Sequence, residues 1–466
     1  MPTSPEAAIA ALWRDLDLPA DALGQLRLTG ANPALPSSFA VGTAAQASIA
    51  ASGLAAALVG TIRGLPEQTV SVDMRHAVTE FHSERWLLVD GKEQGDRWDK
   101  IAGTYQCGDA RWVRLHTNFP HHREGVLRLL GCEYDRDAVA AALRDWEAIR
   151  FEDAAAEAGL CVTAMRSFAE WDAHPQGVAV RAEPVIALEH IGDAPAEGLG
   201  KATRPLAGLR VVDMTRVIAG PVCGRTMAAH GADVLLVTAP HLHNPGLRDT
   251  SRGKRAAQLD LRDAGDVERL RGVLRGADVF LQGYRPGSLA ARGFGPEAVA
   301  ALRPGIVCVS LAAFGHTGPW RGRRGFDSLN QTAIGLNDAE ATAFGTPGRP
   351  KPLPVQALDH ASGYFLMLGA MAGLYRRATV GGSWHVRVSL ARTGLWLREL
   401  GRVEHGFSCK EPTREDVVAF MEEAPSGYGR LTAVRHAAVL SATPARWERS
   451  AEPPGSSAVE WHHTSL

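Results

Sequence analysis

Short apolar strands alternate with helices from residue 206 to about residue 312, and this order leaves few possible folds. The predicted strands are nearly continuous runs of Val, Leu and Ile, and they are GLRVVDMT, ADVLLVTAP, DVFLQGY and IVCVSLAAF. Strands of this composition, joined by helices, are typical of a parallel sheet covered on both faces. We therefore predict an α/β fold with a doubly wound, Rossmann-like sheet, which binds its ligand at the carboxyl ends of the strands.

The loop after the first of these strands argues against a nucleotide cofactor. Its sequence, TRVIAGPVCG, does not contain the G-x-G-x-x-G pattern, and no G-x-x-x-x-G-K-[ST] pattern follows any predicted strand. The sheet is therefore expected to be Rossmann-like without a dinucleotide motif.

A helix followed by a strand occurs twice in the chain, far apart. The first copy is AAQASIAASGLAAALVG with TVSVDM, and the second is ASGYFLMLGAMAGLYRR with HVRVSL. Ala45 aligns with Ala361 and Val72 with Val388, in both cases at an offset of 316 residues (361 − 45 and 388 − 72). We interpret this as a partial internal duplication.

These patterns divide the chain into five regions. A small α+β lid domain is expected where the strand GDARWVRLHTN is mixed with helical stretches, and a Pro- and Gly-rich linker follows it. The predicted regions are an N-terminal extension with the first junction (1–90), the lid and linker (91–200), the Rossmann-like domain (201–350), the second junction (351–400) and a C-terminal tail packing on the large domain (401–466).

Composition favours a small-molecule ligand. The chain has 50 Lys and Arg against 51 Asp and Glu and no long basic run, so neither nucleic acid nor an anionic membrane is an expected partner. The apolar stretches near Ala47–Val59 and Tyr364–Tyr375 are too short to span a bilayer. Six scattered cysteines and the lack of a signal-like N-terminus predict a cytoplasmic protein.

Several ordered motifs identify a family resemblance. The segments PLAGLRVVDMTRVIAGPVCGRTMAAHGADVLLV, RGKRAAQLDLRD, ADVFLQGYRPGSLAARGFG and SLAAFGHTGPWRGRRGFDSLNQTAIGL follow one another as they do in the family III CoA-transferases, the CaiB/BaiF family. The N-terminal half resembles the later part of that family, so the halves stand in permuted order. The resemblance implies an enzyme that moves CoA from an acyl-CoA to a carboxylic acid, with CoA thioesters as substrates and no tightly bound cofactor. It also implies a homodimer, unless the duplicated junction replaces one.

The resemblance assigns the catalytic role to Asp359, at the start of the second-copy helix. Such a carboxylate can hold the acyl group as a mixed anhydride and then CoA as a thioester. At a helix N-terminus we expect it to stay ionised, with the free N–H groups steadying the oxyanion. The alternative is that Asp359 is only a helix cap. The matching position of the first copy is Thr43, which cannot form an anhydride.

The CoA-binding positions follow from the same resemblance. The turn TRVIAGP is expected against the pantetheine and thioester, Lys254 and Arg324 near the phosphates, and the Tyr284 ring beside CoA. The strand ending Leu236-Val237-Thr238 departs from the family's K-V-E. The implied binding residues are Arg216, Val217, Ala219, Lys254, Tyr284 and Arg324.

Two other functions remain open from the sequence. Racemases of 2-methylacyl-CoA thioesters share the resemblance but have G-H-D where this chain has Gly325-Phe326-Asp327, and a phenyl ring cannot exchange a proton. The second open function is that of a non-catalytic CoA-binding protein. No metal site is expected: the histidines of LHTNFPHHRE (His116, His121 and His122) lack a suitably spaced carboxylate or Cys and are interpreted as lid surface.

Overall fold

The structure is a computed structural model that describes residues 2–95, 98–242, 244 and 246–461. Its strands are β1 Leu26–Thr29, β2 Val70–Asp73, β3 Leu88–Val89, β4 Lys92–Glu93, β5 Gly103–Gln106, β6 Trp112–Leu115, β7 Val162–Ala164, β8 Ala187–Gly192, β9 Arg210–Met214, β10 Asp233–Thr238, β11 Lys254–Gln258, β12 Val279–Gln282, β13 Val307–Ala312, β14 Ser383–Ser389, β15 Met421–Ser426, β16 Gly429–Val434 and β17 Val439–Leu440.

The helices lie between these strands and cover the sheets. They are α1 Pro5–Asp15, α2 Val41–Ile62, α3 Met74–Glu80, α4 Ser83–Trp86, α5 Pro120–Leu130, α6 Arg136–Leu143, α7 Ala148–Glu157, α8 Phe168–Ala173, α9 Pro175–Ala182, α10 Ala219–Ala229, α11 Leu247–Thr250, α12 Ala264–Leu274, α13 Pro296–Leu302, α14 Asp327–Ala333, α15 Leu336–Ala343, α16 Ala357–Thr379, α17 Leu390–Glu399 and α18 Arg414–Val417.

The large sheet has the order β11-β10-β9-β12-β13-β14-β8 and is parallel except for β8. Val211 of β9 pairs with Val234 of β10 on one side and Val279 of β12 on the other, and all three are buried. The chain leaves β9 toward β10 and β11 and later returns to its other side with β12. Loops after β9 and β12 therefore diverge and open a crevice at the carboxyl edge. The predicted doubly wound α/β fold is confirmed.

One element of the large sheet lies where the sequence indicated a linker. Residues Ala187–Gly192 form β8, which pairs antiparallel with β14 at the sheet edge. Both of its faces are partly exposed, so its burial pattern carries little of the hydrophobic signal that marks the other strands. The segment that leaves the lid is therefore part of the large domain.

The lid is a small α+β unit with its own core. Strands β5, β6 and β7 form an antiparallel sheet, and α5, α6 and α7 pack around it. Val113, Leu115, Leu143 and Phe151 are fully buried in this core. The predicted smaller domain is thus present, and its β6–α5 loop faces the crevice of the large sheet.

The two helix–strand junctions lie against each other. Helix α2 packs along α16, and each is followed by a strand and a further helix. Strand β14 belongs to the large sheet, whereas β2 pairs with β1 and β17 in a separate sheet. Thr43 is buried in α2 and its hydroxyl accepts a hydrogen bond from the Asn32 side chain at 2.8 Å.

Helix α2 is longer than the apolar stretch predicted from the sequence. It has 22 residues and is apolar enough to cross a bilayer by length and composition. In this structure 83% of its most hydrophobic segment is buried inside the protein. The expectation that this stretch is too short to span is wrong on length, and burial against α16 accounts for its hydrophobicity.

The C-terminal tail contacts two parts of the molecule. Its strands β15 and β16 form a sheet with β3 and β4, and β17 pairs with β2. The indole nitrogens of Trp447 and Trp461 donate to the carbonyl oxygens of Arg225 and Val273 in the large domain, at 3.0 and 2.8 Å. The tail therefore joins the N-terminal region to the large domain.

Candidate active site

A cavity of about 1000 Å³ opens at the carboxyl edge of the large sheet. The loop after β9, the end of β10 and the first turn of α16 form one side of it, and the lid forms another. The volume is at the upper end of the range for small-molecule sites. Residues that the following argument uses line it: Glu84, Trp98, His116, Val217, Thr238, Asn244, Phe326 and Asp359.

Close packing of α16 on α10 brings Asp359 to this cavity. A Cβ atom on Gly363, one turn after Asp359, would lie 2.6 Å from the backbone oxygen of Ala219. Only a glycine allows the two backbones to approach this closely. The first turn of α16 is therefore fixed beside the loop after β9, which places Asp359 and Val217 on one cavity wall.

The loop after β9 is strained at Val217. This residue has φ of 74°, in the left-handed region that a β-branched side chain rarely adopts. Its N–H group donates to the Asn244 side-chain oxygen at 3.2 Å, which holds the conformation from across the cavity. Such strain is concentrated at sites where backbone atoms meet a ligand.

The N-terminal N–H groups of α16 are already occupied. The backbone nitrogens of Leu358 and Asp359 donate to Oδ2 of Asp327 at 2.8 and 2.9 Å, and the Gln331 amide donates to Oδ1. Asp327 is fully buried at the start of α14 and serves as a cap for a helix other than its own. The expectation that these two N–H groups steady an oxyanion is therefore wrong.

Burial and neighbouring carboxylates oppose the ionisation of Asp359. Its pKa is raised well above the ordinary value by burial first, then by the charges of Asp327 and Glu84. The pKa of Asp327 is raised to about 6, mainly by burial, while its three hydrogen-bond donors oppose the rise. Asp327 thus ionises first. The prediction that Asp359 ionises readily is wrong, because the helix N–H groups stabilise the Asp327 carboxylate instead.

Glu84 reaches this site from the first junction. It lies in α4 and lines the cavity, and its Oε2 is 3.0 Å from Nε2 of His360, the residue after Asp359. No sequence motif indicated Glu84, since only tertiary packing brings residues 84 and 359 together. Asp327 lies in the Gly325-Phe326-Asp327 segment identified from the sequence, but nothing there predicted that it caps α16.

A buried charge network fixes α4 in place. Arg225 of α10 donates to Oδ2 of Asp249 at 2.5 Å, and Ser83 donates to the same oxygen at 2.7 Å. Glu80 lies 3.7 Å from the Arg225 guanidinium and 3.0 Å from the His436 ring. The Arg225 and Arg252 charges lower the pKa of Asp249 to about 2 against the opposing effect of burial. The first junction is thereby tied to the large domain beside Glu84.

Three of the predicted CoA-binding residues meet where the loops after β9 and β12 diverge. The Arg216 guanidinium lies 5.8 Å from the Tyr284 ring centroid and 5.3 Å from the Phe119 ring of the lid. Burial lowers the pKa of Arg216, and the nearby Arg324 charge lowers it further. Arg324 donates to the Gly159 carbonyl in the lid. The structure therefore places these cations between the lid and the large sheet.

Ala219 and Lys254 differ in position from these three residues. Ala219 is buried in the first turn of α10, next to the cavity loop. Lys254 is fully buried, and its ammonium donates to Asp213 Oδ2 at 2.8 Å and to the Pro221 carbonyl at 2.9 Å. Its pKa is lowered, chiefly by burial. This placement gives Lys254 a structural ion pair and does not bring it to the cavity, whereas Thr238 does line it.

The lid histidines are not a solvated surface. His116 is 5% exposed and His122 is 3% exposed, whereas His121 is exposed. The His116 ring stacks on Phe326 with centroids 3.7 Å apart, and burial lowers its pKa to about 3. The surface interpretation is therefore wrong for His116 and His122, because the lid packs on the G-F-D segment. Among the described residues no group of three or more His, Cys, Asp or Glu is arranged to hold a metal.

Fold and site together define a protein with a buried aspartic acid on the wall of a cavity at the carboxyl edge of a doubly wound sheet. Residues 206–452, more than half of the chain, match the family described as CoA-transferase family III, and the chain belongs to this family. The resemblance inferred from the motifs is thus confirmed.

Curated relatives carry transferase names. The chain is 29% identical over 374 residues to an acyl-CoA transferase of Gibberella moniliformis, covering 71% of this chain and 65% of that one. It is 34% identical over 200 residues to the acetyl-coenzyme A transferase nodX of Hypoxylon pulicicidum, covering 42% and 34%. It is 30% identical over 192 residues to human succinyl-CoA:glutarate CoA-transferase, covering 38% and 43%. The chain thus spans between 34% and 65% of the length of these relatives.

Solved structures are also similar in part. A crystal structure of a CAIB/BAIF family protein from Brucella suis is 27% identical, with a TM-score of 0.38, over 49% of this chain and 65% of that one.

Proposed function

We propose that this protein is a CoA-transferase that moves CoA from an acyl-CoA thioester to a carboxylic acid through covalent intermediates on Asp359. The observation that carries the proposal is the position of Asp359 on the wall of a substrate-sized cavity, beside the strained loop after β9. CoA enters as a substrate rather than as a resident cofactor. Arg216, Val217, Ala219, Tyr284 and Arg324 are the candidate CoA-binding residues.

The first half of the reaction forms an enzyme thioester. The Asp359 carboxylate attacks the thioester carbonyl, the C–S bond breaks, and CoA leaves as a thiolate. The thiolate then attacks the Asp359 carbonyl of the mixed anhydride and releases the donor acid. The acceptor carboxylate repeats both steps in reverse, which yields the new acyl-CoA and restores Asp359.

The environment of Asp359 sets a requirement for the first step. Because burial and two neighbouring carboxylates raise its pKa, the carboxyl must lose a proton before it attacks. An acid held protonated by desolvation becomes a strong nucleophile once it is ionised, since few hydrogen bonds stabilise its charge. We therefore expect transfer to speed up as pH rises through this ionisation.

Trapping tests the proposal directly. The protein is incubated with an acyl-CoA, treated with hydroxylamine or borohydride, and digested for peptide mass analysis. The peptide containing Asp359 should be modified, and Asp359→Asn should lose both the label and turnover. Asp263→Asn, which changes the cap of α12, is the matched control and should retain both. Modification elsewhere, or full activity of Asp359→Asn, contradicts the proposal, and CoA binding without any label indicates a binding protein.

The structure also favours a second candidate, a racemase of 2-methylacyl-CoA thioesters. Phe326 cannot exchange a proton, but the neutral imidazole of His116 stacks on it and lines the same cavity as Asp359. Deuterium from the solvent at the substrate α-carbon, without exchange between acids, would identify this reaction. Homodimer formation and a cytoplasmic location remain part of the proposal, and size-exclusion chromatography and cell fractionation test them.

A further inference from the structure

We propose that four rings form an aromatic wall that binds an aromatic acyl group of the CoA thioester; this inference rests on the proposed function and names its substrate class. The wall consists of Trp98, His116 and Phe119 from the lid and Phe326 from the segment before α14. Three of the four, Trp98, His116 and Phe326, line the cavity that contains Asp359.

The rings of the wall contact one another in a continuous series. Trp98 meets His116 edge to face with centroids 5.8 Å apart, and His116 stacks on Phe326 at 3.7 Å. Phe119 also stacks on Phe326, with ring centroids 5.5 Å apart. The Arg114 guanidinium lies 4.7 Å from the Trp98 ring and fixes one side of it. The wall is thus built by the lid against the large domain.

The backbone connects this wall to the reactive carboxyl. Phe326 immediately precedes Asp327, whose Oδ2 accepts the N–H of Asp359 at 2.9 Å. An acyl group joined to Asp359 would therefore occupy the same cavity as the wall. The same position suits the acyl end of a CoA thioester whose carbonyl is under attack.

Two members of the wall, Trp98 and His116, have groups that a ligand in the cavity could contact. Trp98 is 41% exposed although its ring lines a cavity. Nδ1 of His116 is buried, and among the described residues it has no hydrogen-bond partner. A buried nitrogen without a partner calls for one, and the adjacent exposed ring of Trp98 leaves room in the cavity for a ligand that supplies it.

Ring geometry favours an aromatic ligand over an aliphatic one of equal size. Aromatic pairs gain attraction beyond the area they bury, which corresponds to a roughly two- to tenfold difference in affinity. An aliphatic ring buries a similar area and lacks this term. Benzoyl-CoA and cyclohexanecarbonyl-CoA have six-membered rings of the same carbon number and so isolate the contribution of the π system.

The test measures binding of both thioesters and of acetyl-CoA to the full-length Asp359→Asn variant by calorimetry. This variant prevents acyl transfer, so the ratio of the two dissociation constants reports the wall alone. We expect benzoyl-CoA to bind roughly two- to tenfold more tightly than cyclohexanecarbonyl-CoA. Adding Trp98→Leu should remove this preference, and adding Trp98→Phe should retain it. Acetyl-CoA should bind all three proteins equally.

The outcomes separate this inference from the proposed function. Equal or tighter binding of cyclohexanecarbonyl-CoA, or an unchanged ratio in the Trp98→Leu protein, overturns the wall as an aromatic site. Equal loss of acetyl-CoA affinity in that protein also overturns it, because Trp98 would then contact CoA itself. If Trp98→Leu unfolds, His116→Leu paired with His116→Phe provides the same comparison. A preference for benzoyl-CoA in a wild-type protein without CoA transfer refutes the proposed function and leaves the wall intact.

Discussion

Replacing Asp327 with Asn should shift the pH dependence of CoA transfer to lower pH. Asp327 is fully buried, accepts the N–H groups of Leu358 and Asp359, and ionises before Asp359. Its negative charge therefore opposes the ionisation of Asp359 that the proposed reaction requires. The Asn side chain keeps the size and an acceptor oxygen but removes the charge.

The size of the shift follows from Coulomb's law. Two unit charges about 5 Å apart repel by about 3 kcal/mol at an effective dielectric constant of about 20, which corresponds to about two pH units. Partial solvent access to the cavity reduces this, so we expect the ascending limb of kcat/KM to move down by about one to two pH units.

The assay is the initial rate of CoA transfer between two acids, followed by chromatography from pH 5 to pH 9. Asp338→Asn, on the neighbouring helix α15, is the matched control and should leave the limb in place. Urea unfolding checks that both variants are folded at each pH. A limb that stays at the wild-type pH in a folded Asp327→Asn protein, or moves upward, would refute the electrostatic reasoning.

Three further substitutions test other parts of the structure. Asp359→Asn should raise the free energy of unfolding, and the gain should grow as pH rises above about 4. The reason is that a carboxyl with a raised pKa costs stability once the same group ionises in the unfolded chain. Urea unfolding at several pH values checks this, and a difference that does not change with pH contradicts it. Gly363→Ala should destabilise the fold by about 1–3 kcal/mol and slow transfer, since its Cβ would meet the Ala219 oxygen; thermal melting and initial rates measure both effects. Lys254→Met should destabilise by about 3–5 kcal/mol by leaving Asp213 buried and unpaired; a stable variant with a raised KM for CoA would instead support the phosphate role.

Local pattern predicted the large sheet because its central strands are buried on both faces. Strands β9, β10, β12 and β13 are apolar runs, and their order in the sequence limits them to a doubly wound sheet. Strand β8 carries no such pattern, since it lies at an edge and is partly exposed along its length. Propensity and periodicity report burial, and they fail where an element is only half covered.

Only those site residues that lie in family-like motifs could be predicted from the sequence. Asp359 and the loop with Val217 stand in motifs that recur in the family, and the structure places them on one cavity wall. The ionisation of Asp359 was predicted wrongly because a helix N-terminus stabilises a charge only while its N–H groups are free. Asp327 accepts hydrogen bonds from those groups although it precedes Leu358 by 31 positions and Asp359 by 32. Glu84 and His116 come from distant segments. No motif marks Glu84, and the histidine cluster that contains His116 does not indicate its position at the cavity.

The packing of α2 along α16 joins two surfaces that belong to one polypeptide. A contact within one polypeptide does not depend on protein concentration, so dilution does not separate α2 from α16. The two helices are also free to differ in sequence, because a change in one is not repeated in the other, as it would be across a symmetric pair of subunits. At the matched positions the chain has threonine at 43 and aspartate at 359, so each polypeptide carries a single carboxyl from this pair.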